Sequence, residues 1–372
     1  MITTEHSGTI TAEMPIAVHK KMDVFYNPIM ASNRNLSILL LNSVSNTKMN
    51  IALPLAGSGI RAIRFLQELQ QGKINHLFVN DIKDNFLTTF AENMDLNPKI
   101  TPAMKKKVTL GNEDASLFLV NQVTNNHKPD RFCGFFDYID LDPFGSPNPF
   151  LSAAIARISR NGIIAVTATD TAALTGTYPA VTKRKYWART VRNYMMHEIG
   201  LRILIRKIQL QGVQFDRALI PILSYHKDHY FRIYFRCIKS KEKSDQVLKQ
   251  HQYLLCNPKT LEFEISDFNF KKGCDYFGPL WTGRLFDHTL ITTMARENPF
   301  PEEQKWLDLL KEEAKVDLPG FYDLHVLAKK YKTEPPRMEK ILSTLNAVRT
   351  HFSLYGIKTE KNIKDVSTVL LS

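Results

Sequence analysis

Between about residues 50 and 237, short apolar runs rich in Val, Ile, Leu and Phe alternate with amphipathic stretches, the pattern of a parallel sheet wrapped by helices. The first run, 50–55, predicts a strand that turns at glycines into a helix reaching Gln70. Further strands are predicted at 76–80, 107–110, 135–141 and 163–167. Helices are predicted at 84–96, stopped by Asn97-Pro98, and at 149–159. A long amphipathic helix is expected over 187–211. Two β-rich runs, 217–224 and 230–238, flank a polar stretch and predict an antiparallel pair closing the sheet. The charged tract 239–249 marks a boundary, dividing the chain into 1–240, with 1–48 as an N-terminal extension, and an α+β region, 241–372. That second region ends in helical patterns at 302–315, 323–331 and 336–348, then a β-wing at 351–357, a winged-helix-like arrangement.

Composition narrows the class. The 372 residues exceed one ordinary core, and 44% hydrophobic with 23% charged residues is usual for a soluble globular chain. No apolar run is long enough to cross a bilayer, and Glu5 and Glu13 near the start argue against a leader, so a cytoplasmic protein without membrane attachment is expected. A net charge of +12 predicts attraction to polyanions. Cys133, Cys237, Cys256 and Cys274 form no C-x-x-C pair, which excludes a recognisable disulfide framework or zinc knuckle.

Candidate chemistry lies at successive strand ends. Gly57-Ser58-Gly59 joins a strand to a helix, where glycines let backbone approach a ligand. The third glycine of the dinucleotide fingerprint is missing, Ile63 following Ala62, which disfavours a nicotinamide cofactor. Asp81 ends the second strand where an acid can accept ribose hydroxyl hydrogens, and Asp114-Ala115 stands where an adenine amine could be read. The fourth strand runs into Asp140-Leu141-Asp142-Pro143-Phe144-Gly145. A conjugated base amine is a poor nucleophile until its nitrogen pyramidalises. A carboxylate (Asp142) and a turn carbonyl accepting its N–H groups favour that change, and Phe144 offers a ring on which the base can stack. Asp140 shares the face of Asp142 by strand alternation, and either supports the turn or shares the acid–base role.

These segments resemble the tRNA guanine-26 N2-dimethyltransferase family in its compact archaeal form, over nearly the whole chain. The matching stretches are Phe25-Tyr26-Asn27-Pro28 with Asn33-Arg34, Ala56 to Arg61, Asp140 to Pro147, and Thr167-Ala168-Thr169-Asp170-Thr171. Later ones are Arg184-Lys185-Tyr186, His197-Glu198, Gly278 to Gly283, Thr350-His351-Phe352 and Ile357-Lys358-Thr359. The resemblance implies a class I S-adenosyl-L-methionine (AdoMet)-dependent methyltransferase, with a Rossmann-like seven-stranded sheet and a second α+β domain. By it Arg34, Arg61, Asp81, Asp114 and Ala115 contact AdoMet, beside the turn glycines Gly57 and Gly59, and Asp140 or Asp142 acts on the guanine amine of tRNA, with Phe144 as the ring beside them. Two departures stand out. Asn35 replaces the usual acid, with an expected loss of cofactor affinity, and only Cys256 and Cys274 remain where zinc-bearing members carry paired cysteines, so no zinc is expected.

Lys183-Arg184-Lys185-Tyr186 with Arg189 puts cations beside aromatics, a patch suited to RNA phosphates and bases. The target guanine is expected to be pulled from its stack before reaction. No obligate protein partner is expected. The alternatives are an adenine-N6 methyltransferase, or a catalytically silent tRNA-binding chaperone.

Overall fold

The computed structural model describes residues 2–12, 24–122, 135–190 and 192–371, so Glu13 and Cys133 lie outside the described residues. An N-terminal hairpin, β1 (Ile2–Glu5) and β2 (Gly8–Thr11), precedes α1 (Ala31–Ser43). Then follow β3 (Met49–Leu53), α2 (Ile60–Glu68), β4 (Ile74–Asn80), α3 (Phe86–Asp95), the short α4 (Pro102–Lys105), β5 (Val108–Gly111), α5 (Ala115–Asn121), β6 (Phe136–Leu141), α6 (Leu151–Arg157) and β7 (Ile158–Ala168). Beyond these come α7 (Thr171–Leu174), α8 (Pro179–Tyr186), α9 (Met196–Val213), β8 (Arg217–Lys227) and β9 (Tyr230–Lys239).

Seven strands form one sheet in the order β5-β4-β3-β6-β7-β9-β8, the expected Rossmann-like topology. Strands β3 to β7 pair in parallel, with Leu53 beside Val79, Val79 beside Leu110 and Asp140 beside Ala165. This register brings the C-terminal ends of β3, β4, β5 and β6 to one edge. The order reverses between β3 and β6, and such a switch point is where open α/β sheets bind ligands. Only two residues separate β8 from β9, which adjacent strands can manage only when antiparallel. The sheet's central strands are apolar on both faces, and Ile51, Ile139, Leu141, Ile164 and Val166 are fully buried.

The described chain divides into two compact units. One comprises Met1–Ala168, Tyr234–Lys239 and Glu297–Glu303; the other comprises Thr169–Ile233, Ser240–Arg296 and Gln304–Ser372. The expected boundary near 240 coincides with one of these crossings, and the others fall elsewhere in the chain.

The predicted continuous helix over 187–211 is corrected. Helix α8 ends at Tyr186, Trp187 adopts φ 54°, and α9 begins only at Met196. Between them Arg189 exchanges two backbone hydrogen bonds of 2.8 Å with Gly278, drawing the segment into an extended bridge.

In the second unit, Ser240 caps α10 (Lys241–Lys249) by accepting from the Lys243 amide, so the charged tract is helical. Strands β10 (His251–Cys256), β11 (Phe263–Ser266) and β12 (Asp275–Trp281) form a sheet ordered β11-β10-β12. Helices α11 (His288–Arg296) and α12 (Gln304–Glu313) follow. The chain ends with β13 (Tyr322–Asp323), α13 (Leu324–Tyr331), α14 (Met338–Leu345), β14 (Val348–Arg349), β15 (Gly356–Lys358) and α15 (Ile363–Leu371). The sheet order β13-β15-β14 around two helices is winged-helix connectivity, sealed by Leu327, Ile341, Ile357 and Val366.

The N-terminal hairpin is tied down by charge. Glu5, buried, accepts from Arg34 through both carboxylate oxygens and from Arg64 Nη1 at 2.7 Å, and Arg64 also forks onto Glu68 at 2.8 Å. Burial alone would raise the Glu5 carboxyl, but the hydrogen bond and charge of Arg34, then the charge of Arg64, bring it from 4.5 down to about 2. A depressed folded pKa stabilises above the unfolded value and is lost as pH falls through the folded one. About 3 kcal/mol of stability should therefore fade between pH 4.5 and 2. Urea unfolding across that range is expected to show a shallower acid loss in Glu5→Gln than in wild type; equal slopes would contradict it.

Candidate active site

A cleft of about 220 Å³ opens at the switch point, lined by the β3–α2 loop, the start of α3, the β6 turn and the segment 24–27. It gathers Arg34, Gly57, Arg61, Asp81, Asp140, Asp142 and Phe144 from the predicted set.

The Gly57 amide donates to Asp81 Oδ2 at 2.7 Å, and the Lys83 amide to Oδ1 at 3.2 Å, so the carboxylate is fixed by backbone. Burial nonetheless pushes the Asp81 carboxyl above its ordinary value, outweighing those amides. A carboxylate so placed gains from further hydrogen-bond donors. Gly57 has φ +56°, and a Cβ there would come within 3.2 Å of Phe25. Gly59 lies outside the lining; at φ +78° it caps α2, where a Cβ would sit 2.2 Å from the Phe90 ring. The loops are cross-tied by Asn80, whose amide donates to Pro54 O at 3.0 Å and Glu113 O at 2.9 Å. With apolar Leu55, Ile82 and Phe86 in the same wall, the donor set fits a nucleoside cofactor such as AdoMet.

The β6 turn holds the second half. Arg61, buried, donates from Nη2 to Asp142 Oδ2 at 2.6 Å and to Asn33 Oδ1 at 2.9 Å, and from Nη1 to Ser37 Oγ at 2.9 Å. Its Nη1 also lies 3.4 Å from Asp140. The two carboxylates differ in access: the Asp142 side chain is 21% exposed, that of Asp140 1% and bonded by the Tyr138 hydroxyl at 2.7 Å. Both carboxylates line the cleft, Asp142 is the more accessible of the two, and Asp140 stands 3.4 Å from the same arginine. Gly145, at φ +80°, reverses the chain and leaves Phe144 48% exposed, edge-on to Phe25 at 4.5 Å between centroids.

Other predicted residues take different places. Arg34 lines the cleft, but its guanidinium is spent on Glu5 and on the Asn27 carbonyl at 2.9 Å, holding the wall segment 24–27. Asp114 and Ala115 are not in the lining: Asp114 Oδ1 caps α5, accepting from the Ser116 amide at 2.8 Å and the Leu117 amide at 3.1 Å, and Ala115 is buried. Asn35 also lies off the cleft, donating to Glu302 at 3.0 Å and Glu303 at 3.2 Å, so its loss of charge relieves crowding among acids there.

In the second unit Lys183, Arg184, Lys185 and Arg189 are exposed, whereas Tyr186 is fully buried. The Tyr186 hydroxyl donates to Asp170 at 2.7 Å, so its ring is anchored and is not presented for stacking. The motif residues Glu198, Thr350, His351 and Lys358 prove to have interior side chains, while His197 is partly buried: Glu198 accepts from Arg202 at 2.9 Å and Lys358 at 2.8 Å, and Glu313 from Thr350 at 2.7 Å and His351 at 2.6 Å. Among the described residues no group of three or more His, Cys, Asp and Glu could hold a metal ion, and no helix is long and apolar enough to cross a membrane.

Sequence reasoning assigned no role to Glu5 or Asn80, nor to the Phe25 ring as a wall. Glu5 is 29 and 59 positions from its arginines, and no local pattern marks such pairs.

Comparison with known proteins agrees with this geometry. The model of the N2,N2-dimethylguanosine tRNA methyltransferase family matches residues 5–371. A tRNA (guanine(26)-N(2)/guanine(27)-N(2))-dimethyltransferase of Aquifex aeolicus is 36% identical, covering 96% of this chain and 92% of that protein. A tRNA (guanine(26)-N(2))-dimethyltransferase of Pyrococcus furiosus is likewise 36% identical, over 90% and 89%. The structure of Trm1 from Pyrococcus horikoshii in complex with S-adenosyl-L-methionine superposes with a TM-score of 0.86 at 31% identity, covering 100% of this chain and 99% of that one. The sheet is therefore that of a class I methyltransferase. On its matched length, its strand order and its acid-bearing cleft, this chain belongs to the N2,N2-dimethylguanosine tRNA methyltransferase family.

Proposed function

We propose that this protein transfers methyl groups from S-adenosyl-L-methionine to N2 of guanine 26 in tRNA, giving N2-methyl- and then N2,N2-dimethylguanosine, in the cytoplasm. The observation that carries the mechanism is Asp142, clamped by Arg61 at 2.6 Å yet facing the cleft that Asp81 and Gly57 also line.

When bound, AdoMet supplies an electrophilic methyl group on a sulfonium sulfur. Asp81 accepts from ribose hydroxyls, and Ile82 and Phe86 cover a nucleoside's apolar faces. Arg61 engages Asp142 Oδ2 and fixes the side chain, so that Oδ1 accepts an N–H of the guanine amine. That bond becomes stronger as the nitrogen pyramidalises and gains positive charge, so it favours the transition state over the ground state. Asp142 then takes the proton the nitrogen sheds as the new N–C bond forms. Phe144, exposed at the mouth, stacks on the base, and Pro143 gives the turn without a competing N–H donor. The exposed cations of α8 meet RNA phosphates. Dimethylation needs the same amine to return with one N–H left, which Asp142 can still accept.

Inosine lacks the exocyclic amine. A tRNA transcript with inosine at position 26 is expected to take no methyl label, while the guanosine transcript is labelled. Equal labelling of both would reject N2 and favour methylation of adenine N6.

A further inference from the structure

The second unit carries a cleft that methyl transfer does not use. It is a wide, open depression of about 670 Å³ lined by Lys183, Trp187, Arg189, Tyr253, Asn269 and Tyr276, among others; none of its lining residues lines the cleft of the first unit.

Its walls combine ring faces with unbalanced positive charge. Trp187 sits at φ 54°, a left-handed conformation costly for a bulky residue, and that backbone leaves the side chain half exposed. Lys207 Nζ lies 3.1 Å from the indole centroid. Arg189 stacks 4.3 Å above the Tyr276 ring, and Tyr253 meets Tyr276 edge-on at 6.0 Å. Opposing these cations, Asp275 stands 3.8 Å from Arg189. Behind the wall, Arg206, next to Lys207 on α9, has Nε and Nη1 buried without an acceptor. Burial lowers the pKa of Arg206, partly offset by Tyr253, and burial together with the charge of Arg206 lowers that of Lys207. The turn bearing Asn269 also holds Phe268 and Phe270, 76% and 81% exposed, followed by exposed Lys271 and Lys272.

We infer that this cleft binds an unstacked nucleotide of the tRNA, its base between Trp187 and Tyr276 and its phosphate on Lys183 and Arg189, with Phe268 and Phe270 stacking on the adjoining strand. Charge selects this occupant: a protein segment or a second copy of this chain, at net +12, brings no such density of anions, whereas every nucleotide brings a phosphate and a base with two π-faces. The inference rests on the tRNA methyltransferase function proposed above and adds a second point of grip.

The test is the affinity for unmodified tRNA, read by fluorescence anisotropy, of Trp187→Ala, Tyr276→Ala and the double Phe268→Ala/Phe270→Ala. Each loss of a stacking ring is expected to weaken binding roughly 5- to 100-fold. Trp187→Phe is expected to recover most of the loss, AdoMet affinity by calorimetry to be unchanged in all, and the denaturant unfolding midpoint to stay at the wild-type value, which excludes misfolding of the second unit. Ultraviolet crosslinking is expected to join RNA to peptides holding Trp187 or Tyr276. Wild-type tRNA affinity in both single variants overturns the cleft while leaving the methylation chemistry standing. Concentration-dependent self-association lost in the variants would also overturn it, in favour of a second copy. A wild-type protein that labels no tRNA fails the function itself.

Discussion

Asp142→Ala is expected to lower the rate of methyl transfer by about 10²- to 10⁴-fold, the range for removing a positioned proton acceptor. The effect should be local. Arg61 keeps bonds to Asn33 and Ser37 at 2.9 Å and its approach to Asp140 at 3.4 Å, so the guanidinium stays in place when Asp142 is gone. The hydrogen bond from the Gly57 amide to the Asp81 carboxylate involves none of these groups, so AdoMet affinity by calorimetry should remain near wild type. Full activity in Asp142→Ala would remove the acid from the mechanism. Lost AdoMet binding would instead show that Asp142 shapes the cofactor's side of the cleft.

Lys358→Met is expected to cost about 3–5 kcal/mol of stability, the cost of leaving a buried charge without its partner. Lys358 is buried, donates to Glu198 at 2.8 Å and to Leu318 O at 2.7 Å, and lies 3.6 Å from Glu313. Burial raises both carboxyls, and the charges of Lys358 and Arg202 on Glu198, and of His351 and Lys358 on Glu313, bring them below their ordinary values. Methionine fills the aliphatic space but leaves Arg202 as the near cation for Glu198. Denaturant unfolding should show the loss at pH 7, and a midpoint equal to wild type would contradict the network's role. This network also explains why Glu198, Thr350-His351 and Lys358 resemble family motifs without lining either cleft: they build the interior of the second unit.

Much of the fold was legible because its strands are contiguous apolar runs. The strand predicted at 135–141 is Phe136–Leu141, and that predicted at 76–80 is Ile74–Asn80. The break at Trp187 was not legible, since it depends on Arg189 pairing with Gly278 far along the chain. The site divides the same way. Gly57, Asp81 and Asp142 sit on short turns whose chemistry is local, and all three reach the cleft. The arginines do not read locally. Both Arg34 and Arg61 line the cleft, with guanidiniums that meet Glu5 and Asp142 across long separations. Tyr186 looked like a stacking ring beside lysines, and Asp170 holds it inside instead. Asn35 looked like a weakened cofactor contact, but it faces Glu302 and Glu303.

The most direct measurement is mass spectrometry of nucleosides and mapped fragments from a tRNA transcript incubated with the protein and AdoMet. The structure predicts N2-methylguanosine first and N2,N2-dimethylguanosine later, both at position 26 and both absent with Asp142→Ala. Methyl groups on adenine, or unmodified guanosine 26 after incubation with the wild-type protein, would contradict it.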